Sequence, residues 1–299
     1  MRTNAMRRGP GIAPRILLLL ATSGWALGCG GGREELPPGL AALGEEPAGA
    51  AALEAIHAHG GWSAWTGKEA VEYDFQWTPY SSEGIPGVTS LEHHRIVIAG
   101  PRIQGRVERP EEDLWLGYNG ILGWAARDRG MRADLARMDG AEFYIRRIRW
   151  IFRLPFNLVE VNVQLQDEGT EGGLHRIKVA FPTEEGAPQD EWARVYLDAK
   201  TGRLRDLYLN AARGRTWMEF LDHREVDGIL VPLRRRIHQV TPEGGKGALS
   251  HEVEIRDVRF NVPLDSVLFD PPEPIIPQIP REMLPAPPEP PPAQPAPKS

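Results

Sequence analysis

Alternation of apolar and polar residues is the feature that most constrains the fold of this chain. In the segment VEYDFQW, the odd residues from Val71 to Trp77 are apolar and the even ones are polar, which is typical of a half-buried β-strand. The same period recurs in the segments 103–107, 177–181, 193–197, 216–220 and 229–237. The pattern predicts many antiparallel strands joined by short turns.

One central segment breaks this alternation. Residues 132–153 carry apolar side chains at helical spacing, among them Tyr144 and Ile148. We expect Gly140 to divide the segment into two helices, and Pro155 to stop the second one, because proline disfavours helical backbone in the residue before it. The chain therefore contains a helical insertion between two sets of strands.

Two local signals define the expected sheet more closely. Asn119-Gly120 between apolar runs predicts a two-residue type I′ hairpin, which would place Trp115 opposite Trp124. In HEVEIRDVRFNV the apolar residues change from odd to even positions near residues 256–257, which predicts a β-bulge and a bend. The expected fold class is α+β, with a strongly curved antiparallel sheet.

The N-terminal residues predict export. A leader with four arginines and no acidic residue precedes the apolar run 16–21, and small residues follow, which is typical of a signal peptide over residues 1–28. The apolar run is too short to span a bilayer, which takes about 20 residues. Removal of these residues lowers the formal net charge from −6 to −10, which argues against nucleic acid as a partner.

Cys29 is the single cysteine of the chain, so it cannot form an internal disulfide. The sequence Ala-Leu-Gly-Cys at residues 26–29 resembles the bacterial lipobox, in which the cysteine is diacylated, for example with palmitate, and anchors the protein to a membrane. Here the alanine and leucine exchange their usual places. The alternative is an ordinary cleaved signal with a free thiol.

Composition divides the rest of the chain into three parts. Residues 29–49, rich in Gly, Pro and Glu, predict the lipidated cysteine and a flexible tether, and residues 50–270 form the folded domain. Residues 271–299 contain 13 of the 28 prolines and predict an extended or disordered tail. The tail either contacts the cell wall or an envelope protein, or is only solvated.

Several phrases resemble the outer-membrane lipoprotein-sorting proteins of the LolA/LolB/LppX group. The closing phrase IRDVRFNVPLDSVLFDPP (255–272) is similar to the end of those chains. WIFRLPFNL (150–158), LDAKTGRL (197–204) and VDGILVPLRRRIH (226–238) resemble phrases of related lipoproteins. The resemblance implies a half-open β-barrel around a helical lid, whose members carry lipids or acyl chains or bind other proteins. It transfers no individual site residue.

Candidate ligand-binding residues follow from the expected curved sheet and from the resemblance to lipid carriers. Aromatic residues would line the concave face of the sheet, and Arg235 lies among the apolar positions of its strand, where a charge must be paired or reach water. Arg235 would meet a lipid phosphate or a carboxylate of the lid, or else form an ion pair at the strand's wet end. The expected cavity residues are Phe75, Trp77, Trp115, Trp124, Trp217, Phe220 and Arg235.

A basic cluster lies beside the apolar stripe of the helical insertion. Arg146, Arg147, Arg149 and Arg153 predict either contact with anionic headgroups or the solvated face of a packed helix.

Nothing in the sequence predicts an enzyme, a cofactor or a metal site. There is no G-x-S-x-G motif and no glycine-rich phosphate loop. His57 and His59 fall about 200° apart on a helix, and His93 and His94 point to opposite faces of a strand, so neither pair can chelate one metal ion. Histidines at the surface or at interfaces are the expectation, and residues 111–113 predict a solvated acidic turn.

Two functions from different classes remain open. The first is a membrane-anchored, non-catalytic lipoprotein that binds a lipid or other apolar ligand and serves envelope maintenance or lipoprotein handling. The second is a protein-interaction or sensory module of the envelope on the same fold. Gly30, in place of the aspartate that retains some lipoproteins at the inner membrane, favours the periplasmic face of the outer membrane.

Overall fold

The computed structural model describes residues 36–160, 163–180, 191–211 and 214–272. The predicted signal peptide, Cys29 and the tail beyond residue 272 lie outside these ranges. Within them, no helix is both long and apolar enough to cross a membrane.

The described residues form α-helices, strands and short 3₁₀ turns. The helices are α1 (Pro38–Leu43), α2 (Pro47–Ala58), α3 (Trp62–Thr66) and α4 (Leu135–Phe152). The strands are β1 (Ala70–Pro79), β2 (Ser90–Val97), β3 (Gln104–Arg109), β4 (Leu114–Tyr118), β5 (Gly123–Arg127), β6 (Arg132–Ala133), β7 (Gln164–Glu171), β8 (Leu174–Ala180), β9 (Trp192–Asp198), β10 (Leu204–Ala211), β11 (Gly214–Val226), β12 (Ile229–Val240) and β13 (Lys246–Phe260). The 3₁₀ turns cover Pro110–Glu112, Phe156–Val159 and Ser266–Phe269.

All these strands belong to one antiparallel sheet in the order β6-β5-β4-β3-β2-β1-β13-β12-β11-β10-β9-β8-β7. Two meanders therefore meet at the pairing of β1 with β13. In the described part of the chain no pairing joins the edge strands β6 and β7, so the curved sheet stays open. Helix α4 connects these two edge strands in sequence and packs on β3, β4 and β5. The predicted open half-barrel with a helical lid is confirmed.

The β4–β5 hairpin differs from its predicted register. Its loop has four residues, 119–122, because the Asn119 side chain accepts hydrogen bonds from the backbone N–H groups of Ile121 and Leu122. Trp124 consequently lies opposite Gly117 instead of Trp115. Gly117 permits this pairing, since a Cβ atom there would lie 2.2 Å from the Trp124 ring. The predicted two-residue turn is wrong.

The predicted bulge in β13 is confirmed. The register between β1 and β13 shifts between Glu72 and Asp74, whose partners are Arg259 and Arg256. Asp257 has a φ of +52°, and the extra residue returns both Ile255 and Phe260 to the buried face. The bulge therefore bends the strand in the middle of the sheet.

The insertion forms one helix, so the predicted division at Gly140 is wrong. Helix α4 runs without a break from Leu135 to Phe152 and ends before Pro155, as expected. Ala141 and Ile145 are fully buried, and a Cβ at Gly105 of β3 would lie only 2.7 Å from Ile145. This close packing on the sheet outweighs the cost of a helical glycine, about 1 kcal/mol.

Part of the predicted tether is helical. Helices α1 and α2 cover most of residues 38–49, and each begins with a proline at a position where helices tolerate it. Ala52, Ala55 and Ile56 of α2 are buried, and the helix packs against the 3₁₀ turn 156–159. The small side chains allow this close contact, which the composition of the segment did not indicate.

Aromatic rings stack at the C-terminal end of α4. The rings of Trp65 and Phe156 stack with centroids 4.3 Å apart, and those of Tyr73 and Phe152 stack at 5.0 Å. We call this region, which comprises residues 47–66 and 149–159, the closed end.

Candidate ligand-binding cavity

A cavity of about 370 Å³ lies between residues 143–151 of α4 and the concave face of the sheet. Most of its lining is apolar. The helix contributes Phe143, Ile148 and Ile151, and the sheet contributes Met218, Ile237 and Val253. This space is unfilled, whereas the closed end is packed by stacked aromatic rings.

Three of the predicted cavity residues line the cavity, namely Phe75, Trp77 and Arg235. Phe220 is buried beside them, and the Arg235 guanidinium carbon lies 5.6 Å from the centre of its ring. Arg235 is held by the register of the sheet, because its cross-strand neighbours are Phe220 of β11 and Val253 of β13.

The prediction that Trp115, Trp124 and Trp217 line the cavity is wrong. Trp217 lies between Thr216 and Met218, which do line it, so its ring projects from the opposite face. There its indole N–H donates to Asp206, with 3.0 Å between nitrogen and oxygen.

Trp115 and Trp124 make contacts outside the cavity. Arg106 lies over the ring of Trp115, with 4.3 Å from its guanidinium carbon to the ring centre. The Trp124 indole N–H donates to the Phe269 carbonyl at 2.8 Å, which fastens the closing 3₁₀ turn to the sheet.

Arg235 is the most unusual group at the cavity. Its side chain is 5% exposed, and it makes no hydrogen bond or ion pair with any described residue. Burial lowers the pKa of its guanidinium to about 10, while the nearby Tyr73 acts in the opposite direction. Arg235 therefore remains charged at neutral pH, and the expected ion pair at the strand's wet end is absent from the described residues.

A buried polar network forms another part of the cavity wall. The carboxylate of Glu92 accepts hydrogen bonds from Arg109 at 2.7 Å, His94 at 2.7 Å and Tyr144 at 2.5 Å. The other ring nitrogen of His94 lies 3.0 Å from the Tyr73 hydroxyl. When Nε2 of His94 carries the proton and donates to Glu92, Nδ1 accepts a hydrogen bond from the Tyr73 hydroxyl. Each oxygen of Glu92 is thus engaged.

Burial and hydrogen bonding set the protonation states of this network. Burial raises the pKa of Glu92, but the His94 hydrogen bond and the Arg109 charge outweigh it, so the net pKa lies below its usual value. Burial lowers the pKa of His94 and raises that of the Tyr73 phenol. At neutral pH the network therefore contains an ionised Glu92, a neutral His94 imidazole and an un-ionised Tyr73 phenol.

Sequence reasoning missed this network. His93 and His94 do point to opposite faces, as predicted, but His94 is fully buried, so its assignment to a surface or interface is wrong. The alternation of Glu92, His94 and Ile96 in β2 was the available signal. Apolar Leu91 at the opposite parity obscured it.

Two arginines of the basic cluster on α4 are part of the fold. Arg149 is 5% exposed and donates to the carbonyl oxygens of Val97, Ile98 and Gly100 at 2.8, 3.2 and 2.8 Å. Burial, and then the charge of Arg153, lower the pKa of Arg149 to about 10. Arg153 is also buried and pairs with Glu160. Neither presents its charge to a membrane, so the predicted headgroup contact is wrong for both.

The other two arginines lie on different sides of α4. Arg146 is partly exposed and pairs with Glu142 at 2.7 Å, while its second nitrogen donates to the Tyr118 hydroxyl. Arg147 lines the cavity and donates to the Thr216 hydroxyl at 3.2 Å. Burial lowers the pKa of Arg147, and the charge of Glu191 partly opposes this. The four arginines therefore do not form one basic face.

His57 and His59, the other histidine pair that the sequence singled out, do not line the cavity. His59, at the end of α2, is fully buried, which corrects its expected surface position, whereas His57 is exposed. The rings of His59 and His223 have centroids 5.7 Å apart. Burial is the main cause that lowers the pKa of each to about 4. No group of three potential metal ligands occurs among the described residues.

The predicted acidic turn is only partly solvated. Glu111 and Asp113 are exposed, but Glu112 lies within ion-pair distance of Arg109 and Arg137, at 3.6 and 3.1 Å. It therefore supports the strand end that carries Arg109.

No protein-family model and no curated protein matches the sequence. Similar solved structures include a DUF1329 family protein from Desulfovibrio piger, with 13% identity, coverage of 75% of this chain and 98% of that chain, and a TM-score of 0.48. A domain described as an outer membrane lipoprotein-sorting protein from Vibrio parahaemolyticus has 13% identity, 74% and 95% coverage, and a TM-score of 0.47. A LolA superfamily protein from Nitrosomonas europaea has 9% identity, 75% and 97% coverage, and a TM-score of 0.47. The group that the sequence phrases resemble is thus represented among the similar folds.

Proposed function

We propose that this chain is a lipid-anchored envelope protein that binds a lipid or other apolar ligand in the cavity beneath α4, without catalysis, and serves envelope maintenance or lipoprotein handling. The observation that carries the proposal is the open cavity itself. Its volume of about 370 Å³ falls within the usual range of small-ligand sites, about 300–1,000 Å³, and its lining is mostly apolar. Such a lining favours acyl chains over polar solutes.

The location rests on the sequence. The leader over residues 1–28 supports export, and the lipobox-like sequence before Cys29 supports a diacyl anchor. Gly30 supports the outer membrane, with the domain facing the periplasm. The short segment between Cys29 and α1 would hold the domain near the membrane surface, from which a lipid ligand would come.

The ligand is tested with the full mature chain carrying Cys29→Ser, purified without detergent and examined by native mass spectrometry with lipid extraction. We expect a bound lipid or fatty acid at about one per chain. The variant Ile237→Trp narrows the cavity and should lose it. Ile121→Trp, at a loop position 82% exposed, is the matched control and should retain it. An empty protein that also refuses added acyl probes would contradict the proposal.

A second candidate is the protein-interaction module, favoured by apolar side chains at loop positions. Ile85 and Val88 in the β1–β2 loop and Ile121 in the β4–β5 loop are mostly exposed. Single exposed apolar residues are common on soluble proteins, so this observation is the weaker one. The empty outcome of the experiment above would direct attention to these loops.

A further inference from the structure

The charges around the cavity do not balance. The one carboxylate of its lining, Glu92, is fully engaged by Arg109, His94 and Tyr144, so it does not compensate another cation. Arg147 on the facing helix donates to the Thr216 hydroxyl and also lies within the influence of the Glu191 charge, outside the cavity lining. Arg235 on the sheet is therefore the guanidinium of the lining that no carboxylate of the described residues pairs.

The other buried arginines show how this fold normally treats such a group. Arg149 has three carbonyl acceptors and Arg153 has a carboxylate. Arg235 is as deeply buried as Arg149 and has neither. Leaving a buried charge without acceptors is costly, so an acceptor supplied by the ligand explains a position that folding alone does not.

We propose that the cavity selects single-chain amphiphiles with an oxyanion headgroup, a carboxylate or a phosphate monoester, and seats that headgroup inside the cavity against Arg235. This inference rests on the proposed function, since it names the class of ligand for the same cavity. A planar guanidinium binds two oxyanion oxygens with matched geometry. Arg147, on the opposite wall, supplies the second positive charge.

The size and lining of the cavity indicate the apolar part of the ligand. At about 370 Å³ the space lies at the small end of ligand sites, which fits one acyl chain better than several. Phe75, Trp77 and Ile237 provide apolar surface beside Arg235 for that chain. A neutral ligand of the same length would gain the apolar contacts but leave Arg235 unpaired.

The test compares three probes of equal chain length: dodecanoate, dodecyl phosphate and the neutral 1-dodecanol. They are titrated into delipidated full mature chain with Cys29→Ser at constant ionic strength, by calorimetry or native mass spectrometry. We expect at least one anion to bind about tenfold or more tightly than dodecanol. The anion that binds better distinguishes a fatty-acid carboxylate from a phosphate headgroup.

Variants assign the preference to a residue. Arg235→Met should lower anion affinity about tenfold or more and leave dodecanol affinity unchanged. Arg236→Met is the matched control, since Arg236 is exposed on the opposite face and pairs with Glu252, and it should change neither affinity. Arg147→Met provides a second variant on the other wall and should weaken anion binding to a smaller extent.

The possible failures are distinguishable. Equal affinity for dodecanol and both anions, or an unchanged anion preference in Arg235→Met, overturns the headgroup inference and leaves the apolar cavity as the proposed function. Failure of all three probes to bind overturns the proposed function as well.

Discussion

The closed end and the cavity meet at the C-terminal half of α4, and each contains a buried arginine. At the closed end, Arg149 donates to three backbone carbonyls beside stacked aromatic rings. At the cavity, Arg235 has the same exposed fraction, 5%, and no acceptor among the described residues. The pKa of each is lowered by burial to about 10, so both carry a charge at neutral pH. The difference fits our proposal that the Arg149 charge stabilises the fold, whereas the Arg235 charge binds the headgroup of the ligand.

The largest expected effect is at the closed end. Arg149→Met removes the donor to three buried carbonyls and should lower the free energy of unfolding by about 4 kcal/mol. Arg146→Met, which breaks a partly exposed pair with Glu142 and a hydrogen bond to the Tyr118 hydroxyl, should cost about 1 kcal/mol. Urea unfolding of the two variants measures the contrast. Similar losses would remove the distinction between structural and solvated arginines on α4.

The second effect is the pH dependence that His59 contributes at the closed end. The pKa of His59 is about 4 in the folded protein and near 6.5 when exposed, so between these values the unfolded chain binds a proton that the folded chain does not. Stability is therefore full above pH 6.5 and falls as the pH drops towards 4, by on the order of 3 kcal/mol for His59 alone.

His59→Gln isolates that contribution. Between pH 6.5 and 5, above the range of most carboxyl groups, the variant should lose stability less steeply than the parent protein, as measured by urea unfolding at each pH. The control is His57→Gln, since His57 is exposed and lies two residues before His59, and this variant should keep the parent slope. Identical slopes in all three proteins would show that His59 does not couple protonation to folding.

The smallest effect has the opposite sign and lies at the cavity. In the delipidated protein, Arg235→Met replaces an unpaired buried charge by an apolar side chain of similar length, and should raise the free energy of unfolding by about 1 kcal/mol. The measurement is the same urea titration, with Arg236→Met as the exposed control. A loss as large as that of Arg149→Met would mean that the fold itself depends on Arg235.

The sequence predicted the sheet well because its signals are local. Alternation placed Arg235 on the apolar face of its strand, and the parity change in β13 located the bulge at Asp257. Features that depend on partners far along the chain were not predictable. Gly140 stays helical because Ile145 packs on β3, and no residue near Gly140 indicates this contact.

The candidate site was predictable to the same extent. Phe75 and Trp77 were found because they alternate cleanly in β1, whereas Trp217 was assigned to the cavity by its size against the parity of its own strand. The Glu92 network escaped notice because it joins residues of four separate elements, β1, β2, β3 and α4. Polar groups of this kind carry no sequence period.

The pairing of β1 with β13 also determines the order in which the protein can fold. Every other ladder joins strands that are neighbours in sequence, so each meander can form from local hairpins soon after its residues are available. The central ladder joins the first described strand to the last, and its formation must await the final part of the chain. Until then β1 is an open edge with unpaired backbone groups, which is the kind of edge that recruits other strands. A chain shortened before β13 would thus lose the middle of its sheet, not its margin, and would leave both halves prone to aggregate.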